Sequence, residues 1–133
     1  ENLKKVKGYK WHLMVKEGKK YVVTRIGQKR NLLLHHLIFG YPLKGYEIDH
    51  IDANPLNNRK FNLRFVTHQQ NMMNQKNVRG YCWENRYKRW MAYIKLNKKR
   101  INLGYFIDEQ IAVKVAKEAR QKYFGEFAYK ETN

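Results

Sequence analysis

The stretch from 46 to 74, YEIDHIDANPLNNRKFNLRFVTHQQNMMN, is the part of the chain with the fewest ways to fold. EIDHI and LRFVT are short β-prone runs, and the DANPLNNRKFN between them is dense in Asn, Asp and Pro, the residues that build turns. HQQNMMNQ then opens a helix, with Thr67 placed as its N-cap. Strand, polar loop, strand and helix in close succession leave two readings for the Asp, His and Asn residues. They are turn formers, or they are the donors of a metal site.

The flanks narrow the choice. The chain carries 28 basic and 11 acidic residues, a formal charge of +17, which points to a polyanionic partner and most directly to nucleic acid. That charge is unevenly spread. Residues 1–45 hold 11 basic and 2 acidic side chains, residues 46–75 hold 3 of each, and residues 76–133 hold 14 and 6. A neutral centre between two basic flanks suits a centre that holds a cation of its own while the flanks grip phosphates. With 43% hydrophobic residues the chain can bury a core, either as one ordinary domain or as two small ones. No apolar run approaches the roughly 18 residues of a membrane span, and no basic-then-apolar leader is present, so neither a span nor a signal peptide is expected. The chain opens on Glu1 rather than Met, which leaves room for an upstream segment. The single cysteine, Cys82, excludes an internal disulfide and a multi-cysteine zinc site and reads as a small sheet or core residue.

Upstream, YKWHLMV and KYVVTRI are strands joined by the Gly-containing KEGKK turn. NLLLHHLIFG reads as a short helix that stops at Gly40, with Pro42 barring its continuation. His35 and His36 occupy adjacent positions of that helix, about 100° apart, so only one can face a core; both read as structural or phosphate-contacting. His12 reads as a structural strand residue.

Downstream, in RWMAYIKL, Trp90, Ala92, Ile94 and Leu96 alternate with Met91, Tyr93 and Lys95, the period of a half-buried strand. NKK turns the chain into RINLGYF, expected to place Ile101, Leu103 and Tyr105 on one face and Arg100 and Asn102 on the other. Trp90 reads as core rather than as a base-stacking residue. Asp108 is placed to cap a helix whose Ile111, Ala112, Val115, Ala116, Ala119 and Tyr123 form an apolar stripe, its alanines allowing close approach to a sheet. This segment predicts a three-stranded antiparallel sheet covered by one helix, with a basic face left over.

The chemistry of the centre follows from residue type. The carboxylate of Asp49 suits a hard divalent cation such as Mg²⁺, and the imidazole of His50, ordinarily titrating at about 6.5, suits proton abstraction near neutral pH. Consecutive strand residues point to opposite faces, so aiming both into one pocket calls for a twist or bulge at the strand end. The amide or backbone carbonyl of Asn62 can hold the second imidazole nitrogen, and Asn71 offers a neutral oxygen ligand. One carboxylate and one amide leave a cation open to phosphate oxygens and water, as phosphodiester hydrolysis requires.

Residues 48–75, IDHIDANPLNNRKFNLRFVTHQQNMMNQ, resemble the H-N-H nucleases of phage and intron homing type, which carry a ββα-metal site; LLLHHLIFG fits the helix preceding that motif. The resemblance implies that Asp49 and Asn71 ligate the metal, Mg²⁺ or alternatively Mn²⁺, that His50 is the general base and that Asn62 orients it. The motif ends here on Asn rather than His, which keeps Asn74 as the alternative ligand; His68 reads as helix surface or a phosphate contact. From VRGYCW to GEFA the chain resembles the DNA-binding domain of plant ethylene-response factors, whose exposed sheet face lies in the major groove. Arg79 matches a DNA-contact arginine of that family and Lys95 and Arg100 fall at basic contact positions, whereas Cys82 and Asn102 stand where the plant proteins have Arg and Trp, so their target sequence does not transfer. Arg64, Arg86 and Lys88 complete the expected DNA-binding set.

The expectation is an α+β chain: an H-N-H nuclease domain over 1–76, made of N-terminal strands and helix (1–45) and the ββα-metal motif (46–76), then a DNA-binding domain over 77–133. It is expected to act as a metal-dependent endonuclease on double-stranded DNA, without a small-molecule cofactor, as a monomer that nicks or a dimer that cuts both strands. A cytoplasmic setting in a bacterial or phage-infected cell follows from the resemblance alone. Two other classes compete: a DNA-binding regulator carrying a relic nuclease motif, and an RNA-binding or RNA-cleaving protein.

Overall fold

A computed structural model of the chain describes residues 2–28, 30–76 and 78–130, and divides into two compact units, Glu1–Asn71 and Met72–Tyr129. The junction expected between 76 and 77 falls on Asn77, outside the described residues.

The first unit opens with helix α1 (Asn2–Lys7), for which no sequence signal was found. Strands β1 (His12–Lys16) and β2 (Lys19–Ile26) form the expected hairpin, with Glu17 and Gly18 both at positive φ in the turn, as a tight two-residue connection requires. The decamer expected to be a helix divides. Arg30–Leu33 is a strand, β3, paired antiparallel with β2 from Val23↔Leu33 to Ile26↔Arg30, and only Leu34–Phe39 is helical, α2. A run of leucines has no period, so pairing with β2 decides its first half. Gly40 ends α2 at φ 97°, its N–H on the His36 carbonyl at 2.9 Å.

Strands β4 (Tyr46–His50) and β5 (Leu63–Thr67) then form a two-stranded antiparallel sheet and lead into helix α3 (His68–Met73). Thr67 starts that helix as expected. Its Oγ1 accepts from the Gln70 N–H at 3.3 Å, and Gln70 Oε1 accepts from the Thr67 N–H at 2.8 Å, a reciprocal capping box. Val23, Leu32, Leu63 and Val66 are buried, and Phe39 packs on Phe65 with ring centroids 4.7 Å apart.

The second unit is the predicted sheet and helix: β6 (Tyr81–Glu84), β7 (Arg89–Leu96) and β8 (Lys99–Phe106) in that order, antiparallel, with α4 (Glu109–Phe124) on one face. Asp108 caps α4, accepting from the Gln110 N–H at 2.7 Å. Ala92, Ala112 and Ala116 form the buried centre, with Tyr81, Trp90, Leu103, Phe106 and Val115 packed around it. Gly80 sits where a side chain would be strained: at φ +71°, its Cβ would lie 3.2 Å from both Ala116 Cβ and the Tyr93 carbonyl.

Two expectations change here. Ile111 and Tyr123 are exposed, so the buried stripe of α4 is Ala112, Ala116 and Ala119. Tyr105 leaves the core face because the β7–β8 register shifts between Ala92 and Tyr93: Ala92 pairs with Gly104 and Tyr93 with Asn102, making Leu103 an extra residue. Beyond that bulge the alternation reverses, so Phe106 joins the core and Tyr105 packs on Tyr87 at 4.8 Å. The segment that follows α3 is held by one side chain. Arg120 of α4 donates to the carbonyls of Val78 (2.7 Å), Gln75 (2.8 Å) and Met73 (3.5 Å). No helix among the described residues is long and apolar enough to cross a membrane.

Candidate nuclease site

Asp49 and His50 close strand β4, and both are buried, 6% and 7% exposed. The expected bulge is not what positions them, because the ladder runs regularly from Tyr46↔Thr67 to His50↔Leu63. Their side chains therefore leave opposite faces of the hairpin. Each meets its own set of partners.

On the Asp49 face, the carboxylate Oδ2 accepts from Arg64 Nε at 2.9 Å and its terminal nitrogen at 2.8 Å. Arg64 faces Asp49 directly across the ladder, so register alone brings the pair together. Glu47, two residues earlier, shares this face, about 6.6 Å along the strand. It accepts short hydrogen bonds from Asn71 Nδ2 and from His68 Nδ1, the latter at 2.8 Å. The Asn71 amide above all, then the His68 bond and charge, hold the Glu47 carboxyl below its usual range against the opposing effect of burial. Asn71 is thus brought to the strand face that carries Asp49, and Glu47, which the sequence reading overlooked, is the residue that tethers it. His68 is on the helix surface, as expected.

On the other face, His50 Nε2 lies 3.1 Å from Asn58 Oδ1. Asn58 Nδ2 donates to the Leu56 carbonyl at 3.1 Å and the Pro55 carbonyl at 3.4 Å. Carbonyls only accept, so these contacts fix which way the amide points, and its oxygen must face the imidazole. Nε2 then carries the hydrogen and the lone pair is on Nδ1. The ring stands edge-on to His35 (5.3 Å, 87°), which stands edge-on to His36 (4.7 Å), which in turn lies against Tyr41. Burial lowers the His50 pKa, outweighing Asn58, Asp52 and Asp49, which raise it. His35 is pushed down to about 3 by burial, with the charges of His36 and His50 adding.

Asn62 is buried beside this cluster. Its carbonyl accepts from the Ile51 N–H, its Oδ1 accepts from the Asp52 N–H, and its Nδ2 donates to Asp52 Oδ1 (2.9 Å) and the Asn57 carbonyl (2.8 Å). Its side chain braces the loop, while the neighbouring Asn58, read from sequence as a turn former, supplies the side-chain contact to the base. Nothing in the spacing distinguishes a buried loop asparagine from an exposed one.

The donors suit a hard cation in one respect. Asp49, Glu47 and Asn71 offer carboxylate and amide oxygens on one side of the hairpin. Among the described residues no three His, Cys, Asp or Glu side chains are grouped to hold a metal ion. These oxygens do not form a closed protein cage, and a divalent cation held by them would need phosphate or water to complete its shell.

Of the remaining expected contacts, Arg79, Arg86, Lys88, Lys95 and Arg100 are all exposed. Lys95 and Arg100 pair directly across β7 and β8, on the face away from α4, and the Arg100 guanidinium lies 4.1 Å over the Tyr93 ring. Asn74, the alternative ligand, is buried in the second unit.

Residues 33–73, from the end of β3 through α3, match the family model described as HNH endonuclease. The chain is 35% identical over 66 residues to Protein 3.8 of Escherichia phage T7, a match covering 44% of this chain and 54% of that protein. It is 34% identical over 135 residues to the Uncharacterized HNH endonuclease L560 of Acanthamoeba polyphaga mimivirus, covering 92% of this chain and 67% of that protein. No solved structure matches the chain. The chain belongs to the HNH endonuclease family. It spans about half the length of the phage relative and two thirds of the mimivirus one.

Proposed function

We propose that this chain is a metal-dependent DNA endonuclease of homing type, with His50 as general base, Asp49 and Asn71 as metal ligands, and the sheet of the second unit as a DNA-binding surface similar to that of ethylene-response factors. The observation that carries the reading is a buried carboxylate and a buried imidazole on adjacent residues that end strand β4, one on each face of the hairpin, so that a phosphate addressed by both would lie across the strand end. Buried polar groups cost stability unless they are held, and here each is held in a single orientation.

In this reading the imidazole of His50 takes a proton from water, and the water oxygen attacks phosphorus. The bond from phosphorus to the 3′-oxygen breaks, leaving a 5′-phosphate and a 3′-oxygen that is protonated from solvent. A divalent ion on Asp49 and Asn71 would neutralise charge on the scissile phosphate and the leaving oxygen. Arg64 orients the Asp49 carboxylate, and Glu47 places Asn71. Asn62 sets the loop that delivers Asn58 to the base.

The face-to-face cations of Lys95 and Arg100 support DNA as the partner. Like charges directly opposite across a ladder are destabilising, and a phosphate between them relieves the repulsion. Arg79, Arg86 and Lys88 add cations at exposed positions of the same unit.

The test is cleavage of supercoiled plasmid with Mg²⁺ or Mn²⁺. The parent is expected to convert it to nicked or linear DNA, and Asp49→Ala and His50→Ala to leave it intact. If the parent cuts no better than these variants on any DNA supplied, the nuclease assignment falls. Retained DNA binding in that case would leave a regulator with a relic motif.

A further inference from the structure

The loop between β4 and β5 is braced from within, yet it turns one large apolar ring outward. Phe61 is 76% exposed, while Asn62 beside it is 5% exposed. The turn that carries the ring, Lys60–Asn62, is pinned by the Asn62 N–H on the Arg59 carbonyl (2.8 Å) and by the Asn62 side chain on Asp52 and Asn57. Upstream the same loop is tied by Asn54 N–H to Asp52 Oδ1 (2.9 Å) and Leu56 N–H to Asn54 Oδ1 (3.1 Å). These bonds deny the ring the usual remedy of folding back onto apolar neighbours. The ring therefore stays in water, where its apolar surface gains nothing from burial.

Single exposed apolar residues are common and need no explanation. Position is what sets this one apart. The Asn62 carbonyl accepts from the N–H of Ile51, the residue after His50, and Asn58, on the same turn-rich segment, holds the His50 ring. Phe61 is thus carried at the same end of the hairpin as the base, next to the residue that bonds the chain just after His50. Cations flank it: the Arg59 guanidinium lies 6.0 Å over the ring, and Lys60 is exposed. A rigidly mounted aromatic ring between two cations, beside a group addressing a phosphate, is complementary to a stacked, polyanionic duplex.

We propose that Phe61 is a wedge that enters the DNA stack at a base step beside the scissile phosphate, with Arg59 and Lys60 on the flanking phosphates. Apolar side chains inserted at a step unstack it and kink the duplex. Such a kink would turn the phosphate towards His50. The inference rests on the endonuclease reading and assigns to the loop the opening of the duplex, a role separate from the chemistry.

The experiment uses the full chain and the linear duplex on which its plasmid cut site has been mapped, prepared fully paired and with a single mismatch at the step next to the cut. Phe61→Ala and Phe61→Ser are expected to slow cleavage of the paired duplex by roughly tenfold or more, and the mismatched duplex, already unstacked, to restore the rate to within about threefold of the parent. Phe61→Leu, which keeps an apolar wedge, is expected to stay near the parent on both. Equal rates for Phe61→Ala and the parent on the paired duplex would overturn the wedge while leaving the nuclease intact. So would an equal loss on both duplexes, which would make Phe61 a general contact or a partner site for another protein. If the parent leaves plasmid uncut with either metal, the endonuclease reading itself fails, and the wedge with it.

Discussion

Replacing Asn58 with alanine separates the two roles that its amide is given. Truncation removes the contact to His50 at 3.1 Å and the bonds to the Leu56 and Pro55 carbonyls, and leaves Nε2–H of a buried imidazole without its acceptor. A buried donor left unpaired costs about 1–3 kcal/mol, and the lost bonds about 0.5–1.5 kcal/mol each. Asn58 also lines an open cleft of about 730 Å³ with Val6, Leu34, Ile38 and Leu56, so water can enter and take over part of this network. The expected loss of stability is therefore at the lower end, about 1–2 kcal/mol, read as a shifted denaturant midpoint. The catalytic loss is larger. An imidazole whose tautomer is no longer set spends part of its time with the hydrogen on Nδ1, and positioned general-base catalysis is worth about 10²–10⁴-fold. Single-turnover nicking should fall by about 10²-fold in Asn58→Ala, while DNA affinity measured by anisotropy stays within about twofold. Asn58→Asp, which keeps an acceptor for Nε2–H, should recover much of the rate. Cleavage by Asn58→Ala at the parent rate would refute the reasoning and return the orienting role to Asn62.

Further outcomes follow from other parts of the fold. His35, at about 3 in the folded chain against an ordinary 6.5, is neutral when folded and protonated when unfolded below that value, so its contribution is complete above pH 6.5 and is lost as the pH falls. Going from pH 6.5 to 5 should cost about 1.5 kcal/mol in urea unfolding of the first unit, and His35→Phe should flatten that dependence. Glu47 acts in a lower window: its lowered pKa adds stability that is lost only below its ordinary 4.5. Gly80→Ala forces a side chain to φ +71° against Ala116 and the Tyr93 carbonyl, and should destabilise the second unit by about 2–4 kcal/mol in thermal unfolding. Lys95→Ala should leave that unit as stable or slightly more so, yet reduce the slope of log affinity against log salt by about 0.9. A salt-independent affinity in the parent would remove DNA from consideration.

The elements that could be read from sequence are those with a strict local signature. β-rich runs around a glycine turn gave β1 and β2, a period-two run gave β7, Thr67 as N-cap announced α3, and Asp108 announced α4. What could not be read depends on partners distant in sequence. The leucines before α2 became a strand because β2 was available to pair with them, and Leu103 became a bulge because of its partner strand. At the site, Asp49 and His50 stood out by type and adjacency. Glu47 and Asn58 did not, since a strand glutamate and a loop asparagine have ordinary explanations until their side chains are seen on Asn71 and His50.

The way Arg120 holds the segment after α3 bears on how such a chain can change over generations. It grips only carbonyl oxygens, those of Met73, Gln75 and Val78, and every residue type offers the same carbonyl. The side chains of Gln75 and Val78 can therefore drift without loosening the grip, as long as position 120 keeps a fork of donors. Lysine, with one nitrogen, cannot bridge three acceptors spread along a backbone in the same way. Recognition through the backbone makes this stretch of the second unit indifferent to the side chains it carries.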